Sequence, residues 1–222
     1  MIDFTFDDNL LNHLRANLKR FSKREMVNNG LKEAAVAIAI VDYRHGSNFH
    51  GIPFSKSWTG HAAMILTRRA SNLRNHAGQW ALPGGRIEAG ESPEETVLRE
   101  LEEEVGLKLD ADRVIGSLDD YSTRSGFIIK PIVVWGVPDT TLKANPDEVA
   151  SVHRIPLSEF MRDDAPVFQE IPESENPVLY MPIGNNSIAA PTAAMIYQFR
   201  EVALLSNNIR VAHYEQPHFA WQ

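Results

Sequence analysis

The chain has 222 residues, 43% of them hydrophobic and 23% charged, with a formal net charge of -7 and no cysteine. That length suits one well-buried domain, residues 1–222, and is short for two. The acidic balance argues against a nonspecific nucleic-acid binder, which needs a basic stripe to displace counterions. Without thiols there is neither a disulfide nor a cysteine-held zinc.

The first twenty residues carry early aspartates and no continuous apolar core, so they do not read as a secretory signal. No apolar run is long enough to cross a bilayer. The expectation is a cytoplasmic protein with no membrane partner. Within this segment Leu11, Leu14, Leu18 and Phe21 recur at helical spacing, which predicts an amphipathic helix over about 8–21, packed on the domain. Residues 34–43, AAVAIAIVDY, are short, aliphatic and β-branched, and read as a buried strand. After a polar stretch, 61–69 gives the next strand, with Arg68 and Arg69 at its exit.

A helix is predicted from Pro93. Ser92 and Glu95 have capping-box spacing, and proline's missing N–H costs nothing in a first turn. Gly106 supplies the left-handed residue that ends it. Val97, Leu98, Leu101 and Val105 fall on one side of this helix, Arg99, Glu100, Glu103 and Glu104 on the other. Glu100, Glu103 and Glu104 stand at i, i+3 and i+4, where like charges repel by a few tenths of a kcal/mol per pair, roughly. A hard cation reverses that sign. Carboxylate oxygens suit Mg2+ or Mn2+, which keep waters and substrate phosphates in their shells.

Residues 113–123 and 127–137 read as two strands of a meander, with Asp119 and Asp120 near the turn. The stretch 144–161 is expected to hold a short strand and a proline-started helix, and 169–182 one partly exposed strand of period two. A final helix is predicted over about 191–205, with Met195, Phe199 and Val202 facing inward. Beyond it, Tyr214, Phe219 and Trp221 are expected to pack against the domain or against a second subunit of a homodimer. His213 and His218 lack partners at zinc-like spacing.

From Gly85 to Leu107 the spacing is G-x5-E-x7-R-E-L-x-E-E-x-G-L, which resembles the box of the Nudix hydrolases at every fixed position. The resemblance implies an α/β fold: an α/β/α sandwich with a mixed sheet and a loop-helix-loop metal site. It implies hydrolysis of a nucleoside diphosphate linked to another group. Carried over by position, Glu100, Glu103 and Glu104 are the metal ligands, and Glu100, Glu103 and Arg99 the catalytic set. Glu91 supports them, and Gly84 and Gly85 open the loop towards substrate. A further ligand or base from outside the box is sought among Asp119, Asp120, Glu148 and Glu170.

Just before the box, ILTRRASNLRNHAGQ resembles an element of the coenzyme A pyrophosphatase branch, matching at Leu66, Thr67, Arg69, Ala70, Leu73, Arg74, His76, Gly78 and Gln79. Near the C-terminus, IAAPTA matches that branch at Ile188, Thr192 and Ala193. The implied substrate is coenzyme A or an acyl derivative, cut to 4′-phosphopantetheine and adenosine 3′,5′-bisphosphate, with Arg69 and Arg74 offering bonds to its phosphates. The alternatives are a hydrolase of ADP-ribose or NADH, and a nucleotide-sensing module without catalysis. The intact glutamates weigh against the last.

Overall fold

Along strand β1 (Lys32–Asp42) successive side chains point to opposite faces, and both faces are covered. A computed structural model describes residues 2–45, 51–52, 56–71 and 77–218. Ala35, Ala37, Ala39 and Val41 join one apolar cluster with Val97, Leu101 and Val105 of helix α2 (Pro93–Val105). Ile38 and Ile40 join another, larger one. There they meet Leu10, Leu11, Leu14 and Leu18 of helix α1 (Asp8–Arg20) and the inner residues of helix α3 (Thr192–Phe199). Helices therefore cover both faces of the sheet, the expected α/β/α arrangement.

The remaining strands are β2 (Ala62–Arg69), β3 (Trp80–Ala81), β4 (Gly84–Arg86), β5 (Val114–Ser117), β6 (Tyr121–Ser122), β7 (Phe127–Trp135) and β8 (Val149–Pro156), followed by β9 (Val167–Ile171), β10 (Ser174–Ile183) and β11 (Asn186–Ala189). The large sheet runs β3-β2-β1-β7-β5, with β4 on β1, β6 on β7 and β8 on β2. It is mixed, because β1 and β7 are parallel while its other pairs are antiparallel. In that parallel register Lys32 lies opposite Phe127, and Arg86 of β4 lies opposite Ala34. Strands β9 to β11 form a second, antiparallel sheet.

Four elements differ from the sequence expectation. The strand read over 113–123 is broken into β5 and β6 by residues 118–120. The single strand expected over 169–182 is a hairpin of β9 and β10, turning at Pro172 and Glu173. The proline-started helix after β8 is a 3-10 turn, Leu157–Met161, in which Leu157 and Phe160 are buried. The final helix covers the expected span, but its last turn, Arg200–Leu204, widens to π geometry. Among the described residues no helix is long and apolar enough to cross a membrane.

Candidate metal and diphosphate site

Local chemistry fixes α2. Ser92 Oγ accepts from the Glu95 N–H at 3.1 Å, Glu95 Oε2 accepts from the Ser92 N–H at 2.8 Å, and Gly106 ends the helix at φ 69°. The apolar face of α2 docks on β1, so its acidic face is turned to the strand β4 loop. Glu100 and Glu104 are buried there, and their carboxylate oxygens lie within 4.8 Å of each other and of a Glu148 oxygen. Glu148 comes from outside the box. The loop that delivers it is tied to α2 by Asn145 N–H donating to Glu104 O at 2.9 Å, and to the end of β2 by Ala70 N–H donating to Glu148 O at 2.9 Å.

Glu103 lies outside this trio. Its side chain is 55% exposed and accepts from Arg99 Nη1 at 3.1 Å. Arg99 is the hub of the acidic face: Nε and Nη2 grip both oxygens of Glu91 at 2.9 and 3.1 Å, Nη1 also donates to Glu100 at 2.8 Å, and Nη2 reaches the Arg86 carbonyl at 3.2 Å. The fork is bidentate, the strong form of such pairs. It holds the Glu91 carboxyl down at about 2, and Glu91 in turn accepts from Thr96 Oγ1 at 2.7 Å. The same carboxylates raise the Arg99 guanidinium above its ordinary range.

Burial pushes the Glu104 carboxyl up to about 8 despite its hydrogen bond from the Gly84 N–H at 3.2 Å, with the neighbouring Glu100 and Glu148 charges adding to the shift. Burial also raises Glu100. Two buried carboxyls facing a third oxygen donor, all hard and none sulfur or imidazole, match the needs of Mg2+ or Mn2+. A cation there would offset the repulsion and hold them ionised.

Two glycines connect this cluster to a cavity of about 480 Å3 on the other side of β4. A Cβ on Gly85 would collide with Glu100, 2.6 Å from its carboxyl carbon, and one on Gly84, at φ +155°, would run into the backbone of Ala35 and Val36. Arg69 and Gln79 line the cavity on the β2 side, and Pro191, Thr192 and Met195 at the start of α3 line it as well. Arg69 sits near enough to Glu104 to favour its charged form. Its Nε is buried and, among the described residues, has no hydrogen-bond partner. Arg68 is committed elsewhere: its guanidinium lies 4.1 Å from the Trp80 ring centroid and donates to Gly78 O at 2.7 Å. Burial, with the Arg68 charge behind it, lowers His153 to about 4, so its imidazole is neutral where it meets the Trp80 ring.

The other acidic candidates serve the fold. Asp119 accepts from the Arg24 N–H, from Gln198 Nε2 and from Arg210 Nη1 at 2.7 to 2.8 Å. Asp120 takes the Met26 N–H and Lys130 Nζ. Glu170 is exposed on β9. Tyr214 packs against Phe168 and receives Tyr121 Oη on its carbonyl at 2.9 Å. Leu73, Arg74, His76, Phe219 and Trp221 lie outside the described residues.

A family model described as the NUDIX domain matches residues 56–172, and the chain belongs to that family. It is similar to two proteins named "Uncharacterized Nudix hydrolase NudL". One, from Yersinia enterocolitica serotype O:8 / biotype 1B, is 44% identical over 100 residues, 45% of this chain and 51% of the relative. The other, from Photorhabdus laumondii subsp. laumondii, is 42% identical over 97 residues, 43% and 52% of the two chains. The chain spans about half the length of the curated relatives it matches. A MutT/nudix family protein from Enterococcus faecalis shares the fold at a TM-score of 0.54, with 17% identity over 80% of this chain and 64% of that one.

Proposed function

We propose that the protein hydrolyses the diphosphate bond of a nucleoside diphosphate joined to a second group, and that the substrate is coenzyme A or an acyl derivative. The observation that carries the reading is the meeting of two sequence-distant segments, the β2–β4 region and the start of α3, at one cavity. Arg69 and Gln79, then Gly84 and Gly85, then Thr192 all border it, next to the buried glutamates. Arg69, Gln79 and Thr192 are positions at which the chain resembles the coenzyme A pyrophosphatase branch, whereas Gly84 and Gly85 belong to a run that many Nudix hydrolases share.

Glu100 and Glu104, with Glu148 opposite and Glu103 at the exposed end of the same helix face, supply the oxygens for Mg2+ or Mn2+. When bound, such a cation would neutralise charge at the diphosphate and lower the pKa of the attacking water. Glu100 accepts the proton of that water as it attacks phosphorus. The bridging P–O bond breaks, leaving 4′-phosphopantetheine and adenosine 3′,5′-bisphosphate. Arg99 and Glu91 hold Glu100 and Glu103 in place through the guanidinium fork. Arg69 and Arg74 supply positive charge to the substrate phosphates, while the bare backbone of Gly84 and Gly85 lets the diphosphate approach the carboxylates.

A turnover assay with Mg2+ on coenzyme A, 3′-dephospho-coenzyme A, ADP-ribose and NADH, with products read by mass spectrometry, tests this. Coenzyme A should give the highest kcat/KM. Faster cleavage of ADP-ribose or NADH would move the substrate assignment to those compounds, and no cleavage of any would make the chain a nucleotide-binding module.

A further inference from the structure

The cavity has a second positive end, away from Arg69. On its β7 side Lys32 Nζ stands 5.6 Å from the centroid of the Phe127 ring, and the Arg86 guanidinium carbon stands 5.5 Å from the same centroid. Strand register brings the three together, since Lys32 is opposite Phe127 and Arg86 pairs beside them. Both cations are exposed, and among the described residues neither forms an ion pair. Three carboxylates of neighbouring segments are taken. Glu33, on the other face of β1, pairs with Lys130, Glu91 pairs with Arg99 and Glu215 with Arg124.

In a chain of net charge -7, two cations left together without a counter-ion repel each other, and an anion between them removes that cost. The aromatic ring holds both in position in the meantime. Thr123 and Ser125, whose hydroxyls are 3.1 Å apart, line the same end of the cavity. A guanidinium fork, an ammonium and two hydroxyls make up a donor set for a tetrahedral, multiply charged group rather than a planar carboxylate.

We propose that Lys32 and Arg86, mounted on Phe127, bind a phosphate monoester on the nucleoside part of the ligand, separate from the diphosphate that is cut. The assignment rests on the proposed function for the direction in which the substrate lies. It concerns residues outside the fixed positions of the box, on strands β1 and β4. It defines the substrate class as nucleotides carrying a phosphate beyond the diphosphate.

Calorimetric titration of the metal-free full chain with adenosine 3′,5′-bisphosphate, AMP and inorganic phosphate tests it without any turnover. The wild type should bind the bisphosphate about ten-fold or more tightly than AMP, the scale of a charge-assisted contact. The Lys32→Gln/Arg86→Gln double variant should bind the two nucleotides alike. Lys32→Gln alone, a change at one exposed side chain, should lose part of the preference and guards against misfolding of the double variant. A preference that survives in both variants overturns the proposal, as does a wild type that does not discriminate. Inorganic phosphate binding as tightly as the bisphosphate would make this a free-anion site and equally overturn it. If the preference depends on the two cations but no nucleoside diphosphate is hydrolysed, the subsite stands and the hydrolase reading falls.

Discussion

Two glutamates on the same helix surroundings titrate in opposite directions, and each gives its own signature. Glu104 is raised from 4.5 to about 8, chiefly by burial. The stability of the metal-free protein tied to it is therefore complete below 4.5 and is lost as pH rises through 8. Glu104→Gln keeps the shape and an acceptor for the Gly84 N–H while removing the charge. It should lower turnover by about 10^2 or more. In EDTA at pH 9 it should nevertheless melt above the wild type, and equal melting temperatures at pH 6 and pH 9 for both proteins would sink the argument. Glu91 is lowered from 4.5 to about 2 by the Arg99 fork, so its contribution is present above 4.5 and disappears as pH falls towards 2. Glu91→Gln should flatten the acid limb of a pH–Tm curve between those values. An unchanged limb would show that the Arg99 fork adds nothing to folding.

At the scale of elements, what could be read from sequence was what short-range chemistry decides. Helix α2 begins and ends where Ser92, Pro93 and Gly106 dictate, because each cap acts within a few residues. The β9–β10 hairpin was not legible: its turn, Pro172 and Glu173, carries none of the Asn-Gly or Asp-Gly signal of tight turns, and period two runs through both strands. The helix after Pro156 stops at one 3-10 stretch because Leu157 and Phe160 are already buried by then and nothing amphipathic follows. Strand β4 shows how two adjacent glycines differ. Gly85→Ala sets a methyl against the end of a side chain, Glu100, which can move; the expected outcome is a loss of turnover of at least ten-fold with a cooperative thermal transition retained. Gly84→Ala sets it against the β1 backbone at positive φ, which cannot yield, so soluble folded protein should fall sharply. If both variants fold and turn over like the wild type, β4 does not sit against the carboxylates as described.

Across the whole molecule, the site draws on residues far apart in sequence, and that is why only half of it was readable beforehand. Glu100 and Glu104 share one helix face, so helical spacing marked them, while Arg99 and Glu91 were marked by the resemblance to the Nudix box. Glu148 stood level with Asp119, Asp120 and Glu170 until the strand order β1-β2-β8 brought its loop to α2, whereas Asp119 and Asp120 proved to be tied to Arg210 and Lys130. The two apolar clusters on either face of the sheet are built from aliphatic and aromatic side chains, and the carboxylates lie at the margin of one of them. Folding is thus carried by burial, and a cation bound as proposed would enter a preformed acidic cleft. Chelation should therefore abolish hydrolysis and leave the far-UV circular dichroism unchanged. Adding back Mg2+ should raise the melting temperature in proportion to the logarithm of its concentration once sites fill, because it binds the folded chain alone. Loss of the folded signal in EDTA would mean that the ion, and not the two clusters, holds α2 against β1; full activity in EDTA would remove the cation from the reaction altogether.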